Sequence, residues 1–505
     1  MPSQNFFSAS SPFSAWCIQP LDAVTPADFV ALRGIAPEFY TGLLHSAAAA
    51  ELTVAQRAGL VNSTAEWSLL LLAPNPDEQI DLTGFSVGDQ QFLSRLDKAF
   101  ASASVVEKPV CPVSALALPF ASGWQLYLGY ELAGEVEPVL AEQLLLDQHV
   151  VAQARRVRGA LLFNHRLEMA WVCLEQREAG QLERIHRDLA AAKSMAVQAD
   201  TVKSQAHDAQ IAEDSPDHFV DAVTRTLAYI RDGDVFQTNL SRAWQLQLTE
   251  PVASLALYRQ LSSINPAPFA AWFEVADAVD SADAGHNNGF ELISSSPERL
   301  LAISGLDEQQ QRLIQMRPIA GTRPRDSEQG TNQRLLDELQ SSPKENAEHL
   351  MLIDLARNDL GRVCLPGSVK VDELMCIESF AHVHHIVSNV SGQIDVEITP
   401  GEAIAAVFPG GTITGCPKVR CMEIIAELEQ CARGAYTGAV GYLGLDGQLD
   451  LNIVIRSLVR PSQQQSQLTL RAGAGIVADS DPLHELAETR AKAASVLRAF
   501  KELTE

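Results

Sequence analysis

Phe408-Pro409-Gly410-Gly411-Thr412-Ile413-Thr414-Gly415-Cys416-Pro417-Lys418 is the stretch around which the rest of the chain is read. Glycines let a backbone approach a ligand and leave its N–H groups bare, and hydroxyls and a lysine follow at once. That is equipment for a small anion. Gly-Thr-Gly loops are also ordinary tight turns, so the meaning of this one depends on the segments that accompany it.

Downstream, Tyr436 stands ahead of Gly438, and Arg456 ends a strand expected over Leu451–Ile455. An arginine there either pairs with an acid or grips a carboxylate through two parallel bonds. Ile453–Arg456, a polar loop at 462–467 and Leu468–Leu470 lead into Ala472-Gly473-Ala474-Gly475. In the same way Leu300–Ile303, a Gln-rich turn at 307–311 and Leu313–Met316 lead into Pro318-Ile319-Ala320-Gly321-Thr322. Each set predicts a β-hairpin delivering a Gly-containing loop. Asp481-Pro482 opens a helix on which Glu485, Glu488 and Lys492 share a face, and Lys344–His349 opens another that pairs Glu345 with Glu348. Glutamate pairs on helices are usually solvated. Brought together, these four carboxylates would make an oxygen-rich site suited to Mg2+, with Lys492 tempering the charge or holding an anion.

Upstream, Ser215 is a good N-cap, Pro216 suits a first turn, Phe219, Val223, Leu227 and Ile230 form a stripe, and Gly233 ends the helix. The next segment, Val235–Arg242, reads as a strand with Gln237 and Asn239 on one face. That polar face must meet water or a ligand, because buried amides need partners. Ser294–Glu298 ends a strand with a carboxylate. His382, His384 and His385 lie in a strand-like run, Ala381–Val390, where alternation lets at most one of the last two face a given cleft. Residues up to about 190 form a first region with strands such as Trp124–Tyr130, 198–214 reads as a polar linker, and 277–289 as an exposed loop.

The 505 residues are 46% hydrophobic and carry a formal net charge of −25. Such a surface repels nucleic acid and anionic membranes, so an anion site must be locally positive, most simply through a divalent cation. No apolar run reaches the roughly 20 residues of a membrane span, and no export signal is visible. Eight scattered cysteines with no C-x-x-C pair fit a reducing cytoplasm.

Gly233–Gln237, Ser296–Arg299, Arg317–Arg325, Asp354–Asp359, the 408–418 loop and Ala472–Ser480 together resemble the chorismate-utilising enzyme family, in its order, over residues 215–505. The resemblance implies an α+β fold: a mostly antiparallel β-sandwich core with surrounding helices. It divides the chain into an N-terminal region (1–197), a linker (198–214) and a chorismate-binding catalytic domain (215–505), with N- and C-terminal parts interlaced. It also implies roles. Glu348 and Glu488 would bind Mg2+ directly with Glu345 and Glu485 beside them, and the metal would hold the ring carboxylate of chorismate. Arg456, Tyr436, Lys492 and the N–H groups of Gly473, Ala474 and Gly475 would hold the enolpyruvyl carboxylate, with Gly321 and Thr412 also lining the substrate. Glu298 would be the general acid on the departing C4 hydroxyl, with His385, Thr322 and Gln237 assisting.

Relatives that add water carry a lysine where this chain has Gln237, which points to ammonia as nucleophile. Two branches remain. Leu43–Ser46, Gln237–Leu240, Val383–His385 and Gly410-Gly411 resemble aminodeoxychorismate synthase component I. Ala320, Arg323–Arg325 and Asp354–Asn358 resemble anthranilate synthase component I. No glutaminase segment is evident, so ammonia would come from a separate glutamine amidotransferase subunit or from solution. Leu44, His45, Ser46, Asn265 and Pro266 resemble a tryptophan pocket, or serve only as packing. A catalytically silent homologue is the third alternative; intact Glu298, Glu348, Glu488, Arg456 and Lys492 oppose it.

Overall fold

Two large sheets are assembled from strands that lie far apart in the chain. The computed structural model describes residues 16–50, 66–82, 91–103, 110, 116–146, 150–199, 206–277, 289–306, 311–325, 329–379, 383–395 and 397–502. The first sheet, of 13 strands, runs Trp16–Leu21, Met169–Glu175, Gly159–Asn164, Trp67–Leu72, Tyr40–His45, Phe269–Val275, Phe290–Ser296, Ser457–Pro461, Gln467–Ile476, Gln237–Leu248, His207–Glu213 and Phe500–Glu502; Gly415–Cys416 pairs on Gln237–Leu248. The second, of 10 strands, runs Ile319–Pro324, Val383–Ile394, Arg312–Met316, Arg299–Ile303, Leu449–Ile453, Ala439–Gly444, Gly123–Leu128, Ala152–Val157 and Pro74–Leu82; Lys370–Ser379 pairs on Val383–Ile394. Described pairings are antiparallel, except that Phe500–Glu502 runs parallel to His207–Glu213. Both sheets take strands from the first 197 residues and from the rest, so the halves are interlaced.

The leucine run Trp67–Leu72 shows why. Leu69 and Leu71 point between the sheets, where they join Phe273, Leu292, Trp124, Leu126, Val440 and Leu451. Leu70 and Leu72 point the other way, into a layer with Phe29, Leu257, Ile185 and Val496 from four helices. A strand buried on both faces reads as a continuous apolar run. Truncating any of these fully buried leucines to Ala costs about 2–5 kcal/mol. A third cluster packs helices Pro216–Asp232 and Lys418–Glu429 through Phe219, Val223, Cys421 and Ile425 onto Leu240, Ala474 and Ile476.

The expected helix forms over Pro216–Asp232: the Ser215 hydroxyl accepts from His218 N–H, and Gly233 takes the left-handed conformation at φ 86°. The hairpin Arg299–Ile303/Arg312–Met316 is present. Several readings need correction. The polar stretch taken as linker contains the strand His207–Glu213, pinned between Gln237–Leu248 and Phe500–Glu502 by backbone bonds rather than by an apolar face. The second hairpin is Ser457–Pro461 with Gln467–Ile476. Residues 472–475 therefore continue a strand instead of forming a loop. The strand expected over Val235–Arg242 is Gln237–Leu248, and that expected over Ala381–Val390 is Val383–Ile394. Of the 277–289 loop, 278–288 lie outside the described residues, as does His382.

Two neighbouring crossovers position the site. The chain leaves the first sheet after Ser296 and enters the second at Arg299, and it makes the reverse passage between Ile453 and Ser457. The passages are laced together: Ile453 N–H donates to the Glu298 carbonyl at 3.0 Å, and Ser295 N–H to the Arg456 carbonyl at 3.2 Å. Arg456 sits in the left-handed region at φ 54°, the kind of backbone strain that a surrounding structure must hold in place.

Candidate active site

Glu298 lies in the first crossover and is buried. Leu300, Leu355 and Ile453 line the space behind it with Gly410 and Gly411. Burial pushes its carboxyl up to about 7, against the opposing pull of the Thr412 hydroxyl, Lys492 and Arg456. Thr412 Oγ1 donates to Glu298 Oε1 at 2.7 Å, so the 408–418 loop reaches the site through one side chain. Its lysine does not. Lys418 pairs with Asp359 at 2.8 Å and caps the Val407 carbonyl, which makes it an internal brace rather than an anion grip.

Arg456 makes no side-chain hydrogen bond or ion pair among the described residues, while its charge acts on Glu298, Tyr436 and His385. A guanidinium so placed is ready for an external carboxylate. His385 is buried, bonds the Gly321 backbone, and is pushed down to about 4 by burial and by Arg456, so the ring is neutral. His384 faces the opposite way, bonded to Ser379 and Asn332, as alternation requires. Thr322 pairs with His385 through its backbone; its side chain lies outside the described set.

The strand Gln467–Ile476 supplies the next wall. Asn239 and Ser241 N–H groups point away from it, to the Thr414 carbonyl and Glu429. Their partners Gly475 and Gly473 are therefore in non-hydrogen-bonded pairs, and their N–H groups turn to the other edge. Among the described residues this strand pairs with Ser457–Pro461 only at Leu470 and Thr469, so that edge is open on the Arg456 side. Lys492 Nζ donates to the Gly473 carbonyl there at 3.0 Å. Ala474, expected as a third donor, faces Leu240 in a hydrogen-bonded pair, and its methyl joins the third cluster. A Cβ at Gly473 would lie 2.7 Å from the Tyr436 hydroxyl, and one at Gly475 2.5 Å from Gln237 Nε2.

The carboxylates come from the N-terminal ends of two helices: Glu345 and Glu485 lie in the first turns, where the backbone dipole favours negative charge, and Glu348 and Glu488 follow one turn later. Helix Pro343–Gly361, capped by Ser342, carries Glu345 and Glu348; helix Pro482–Leu497, capped by Asp481, carries Glu485 and Glu488. Glu348 is raised by burial first, then by Glu345 and Glu488, while Gln237 and Lys492 oppose the rise. The charges of Glu345 and Glu488, from the two separate helices, thus both act on Glu348. Gln237 Nε2 donates to Glu348 Oε1 at 2.9 Å, Lys492 pairs with Glu488 at 2.8 Å, and Arg323 with Glu345 at 3.2 Å. Glu345 also approaches Gly321, where a Cβ would lie 3.1 Å from its Oε2. Among the described residues, the donor atoms that lie within 4.8 Å of one another are those of His484, Glu485 and Glu488, all on one helix, without Glu345 or Glu348 of the expected set. His484, adjacent to Glu485 in the sequence, went unnoticed among the candidate ligands. Carboxylate oxygens that raise one another are the donor chemistry that suits Mg2+.

Leu44 and His45 pair with Ala271 and Ala270 of the strand that follows Asn265-Pro266. His45 Nδ1 lies 2.9 Å from the Tyr258 hydroxyl, and burial pushes the ring down to about 4. Ser46 is buried, and the Asn265 carbonyl accepts from the Ser295 hydroxyl. No described helix is long and apolar enough to cross a membrane.

The chorismate binding enzyme family matches residues 56–498. The chain belongs to that family. It is 38% identical over 386 residues to an anthranilate synthase component I-like protein of Synechocystis sp., covering 76% of this chain and 74% of that protein. It is 45% identical over 289 residues to aminodeoxychorismate synthase component 1 of Bacillus subtilis, covering 57% of this chain and 56% of that protein. Among solved structures it resembles anthranilate synthase component I from Streptococcus pneumoniae, with a TM-score of 0.68, 28% identity, and coverage of 86% of this chain and 92% of that one. The mostly antiparallel α+β architecture is thus the family's own. Relatives named aminodeoxychorismate synthase and anthranilate synthase stand at similar distance, 45% and 44% identical.

Proposed function

We propose that this chain replaces the C4 hydroxyl of chorismate with an amino group from ammonia, giving 4-amino-4-deoxychorismate for p-aminobenzoate and folate synthesis. The observation that carries the departure of the C4 hydroxyl, a step shared with the second reading below, is Glu298. A carboxyl held near 7 is still protonated in part at neutral pH, and hydroxide is a poor leaving group without a proton. Glu298 gives its proton to the C4 oxygen, the C4–O bond breaks, and water departs. The ammonia lone pair forms the C–N bond, and the resulting ammonium returns a proton to the carboxylate. Arg456, Tyr436, Lys492 and the N–H groups of Gly473 and Gly475 hold the enolpyruvyl carboxylate, and neutral His385 lies against the ring. Glu348 and Glu488, with Glu345 and Glu485 beside them, would hold Mg2+. A bound Mg2+ would neutralise these carboxylates and anchor the ring carboxylate.

A glutamine amidotransferase subunit would deliver the ammonia, as the "component 1" of the B. subtilis relative's name suggests. Ala320, with Arg323–Arg325 and Asp354–Asn358, favours a second reading, amination at C2 with loss of water and pyruvate to give anthranilate: the Ala320 methyl is inert where many aminodeoxychorismate synthases have a lysine. Tryptophan would bind around Leu44–Ser46 and Asn265-Pro266, with Ser295 linking that corner to Arg456. Incubation with chorismate, ammonium and Mg2+ tests the assignment. A product that becomes p-aminobenzoate only after a lyase is added supports it. Direct appearance of fluorescent anthranilate replaces it with the second reading, and no consumption of chorismate removes both.

A further inference from the structure

The anion-holding groups of the cleft are donors: a guanidinium, an ammonium and two backbone N–H groups. Two side chains on the same wall are the opposite. Gln237 Oε1 and Asn239 Oδ1 are buried oxygens with no hydrogen-bond partner among the described residues. They belong to alternate residues of the strand Gln237–Leu248 and so share one face. That face looks onto Gly475 and Gly473, which are glycines where the amides need room: a Cβ there would lie 2.5 Å from Gln237 Nε2 and 2.7 Å from Asn239 Oδ1. The orientation of Gln237 is fixed, because its Nε2 donates to Glu348. Its Oε1 must therefore be the end left over.

An orphaned buried acceptor costs free energy unless a ligand supplies the donor. A carboxylate supplies none. The C4 hydroxyl has one proton and belongs beside Glu298 and Thr412. Ammonia has three N–H bonds and one lone pair. Bound through its N–H bonds to carbonyl oxygens, it keeps the lone pair free to attack; a donor side chain would occupy that lone pair instead. The geometry points to Gln237 Oε1 and Asn239 Oδ1 as the ammonia-binding subsite of this cleft. The assignment rests on the aminating reaction proposed above. Asn239 is a new member of the site, and the oxygen of Gln237 gains a role distinct from the one its nitrogen plays toward Glu348.

The test is steady-state kinetics with ammonium as the nitrogen source, on the unaltered chain, Asn239→Leu, Asn239→Ser and Gln237→Met. Circular dichroism confirms folding, and Asn239→Ser covers the case in which the leucine does not pack. Removing the Asn239 oxygen should raise KM for ammonium about tenfold, the size of one hydrogen bond. KM for chorismate and the Mg2+ concentration at half-activity should stay within about twofold, and kcat at saturating ammonium should be retained. Gln237→Met should raise KM for ammonium at least as much. A shift in the Mg2+ requirement alone would mean that the oxygens receive metal-bound water. A shift in chorismate KM alone would mean that they receive the substrate. Either result, or no change in any constant, overturns the proposal. If the unaltered chain aminates chorismate while the ammonium KM of the variants stays put, only the subsite fails. If the unaltered chain does not turn over, the function assignment fails with it.

Discussion

The cleft holds two kinds of glutamate, and they differ in what raises them. Glu298 stands by itself: burial among apolar neighbours lifts its carboxyl, and the charges acting on it are positive. Glu348 stands in company: burial lifts it too, but Glu345 and Glu488 push in the same direction. The first arrangement makes a proton donor. The second is relieved by a cation. Lys492 acts on both, which ties the two sides into one site. The same residue type serves opposite chemistry because one is isolated and the other crowded.

The sharpest way to break this contrast is Glu298→Gln. It keeps the shape and the Thr412 contact but cannot deliver a proton, so kcat should fall by about 10²–10⁴-fold with chorismate binding retained. It also carries a stability signature. The native carboxyl near 7 lies above its unfolded value of 4.5, so the folded state binds more protons between those limits and the parent loses stability as pH rises through them. The melting temperature of the variant should therefore exceed the parent's by more at pH 8 than at pH 5. An equal gap at both pH values would mean that Glu298 is not raised. Glu348→Gln should also reduce activity by about 100-fold or more, but through the metal. Its ion-free form should melt no lower than the parent, since like-charge repulsion is relieved, and Mg2+ should no longer raise its melting temperature.

Arg456→Lys sharpens the donor side. A point charge replaces a planar fork, so KM for chorismate should rise about ten- to a hundredfold with a smaller change in kcat. Lys418→Met is the counterpart. It breaks a buried pair with Asp359, so stability should drop by about 3 kcal/mol while KM for chorismate is unchanged. A shift in that KM would return Lys418 to the site. The smallest effect is expected of Ala320→Lys, which should leave aminodeoxychorismate formation measurable; complete loss with the fold intact would favour anthranilate as the native product.

Local signals carried much of this. The Ser215 cap, Gly233 stop, paired hairpin at 299–316 and both carboxylate-bearing helix starts are written in consecutive residues. The failures are tertiary. His207–Glu213 has only Ala209 and Ile211 as alternating apolar residues, because backbone pairing near the sheet edge, rather than burial, makes it a strand. Lys418 and Arg456 are both cations beside glycine-containing segments; what separates them is Asp359, distant in sequence and 2.8 Å away in space. The crossovers that put Glu298 beside Arg456 have no local signature, and the left-handed φ of Arg456 is invisible in its residue type. Ala474 was misread because a strand, unlike a loop, turns only alternate N–H groups toward a ligand.

The account depends most on carboxylates of two helices closing around one ion. Calorimetric titration of Mg2+ into the chain with chorismate present tests that directly, comparing the parent with Glu348→Gln and Glu488→Gln. One ion per chain in the parent, and binding lost or weakened by at least about tenfold in both variants, is the predicted result. Unchanged stoichiometry and affinity in all three proteins would contradict it.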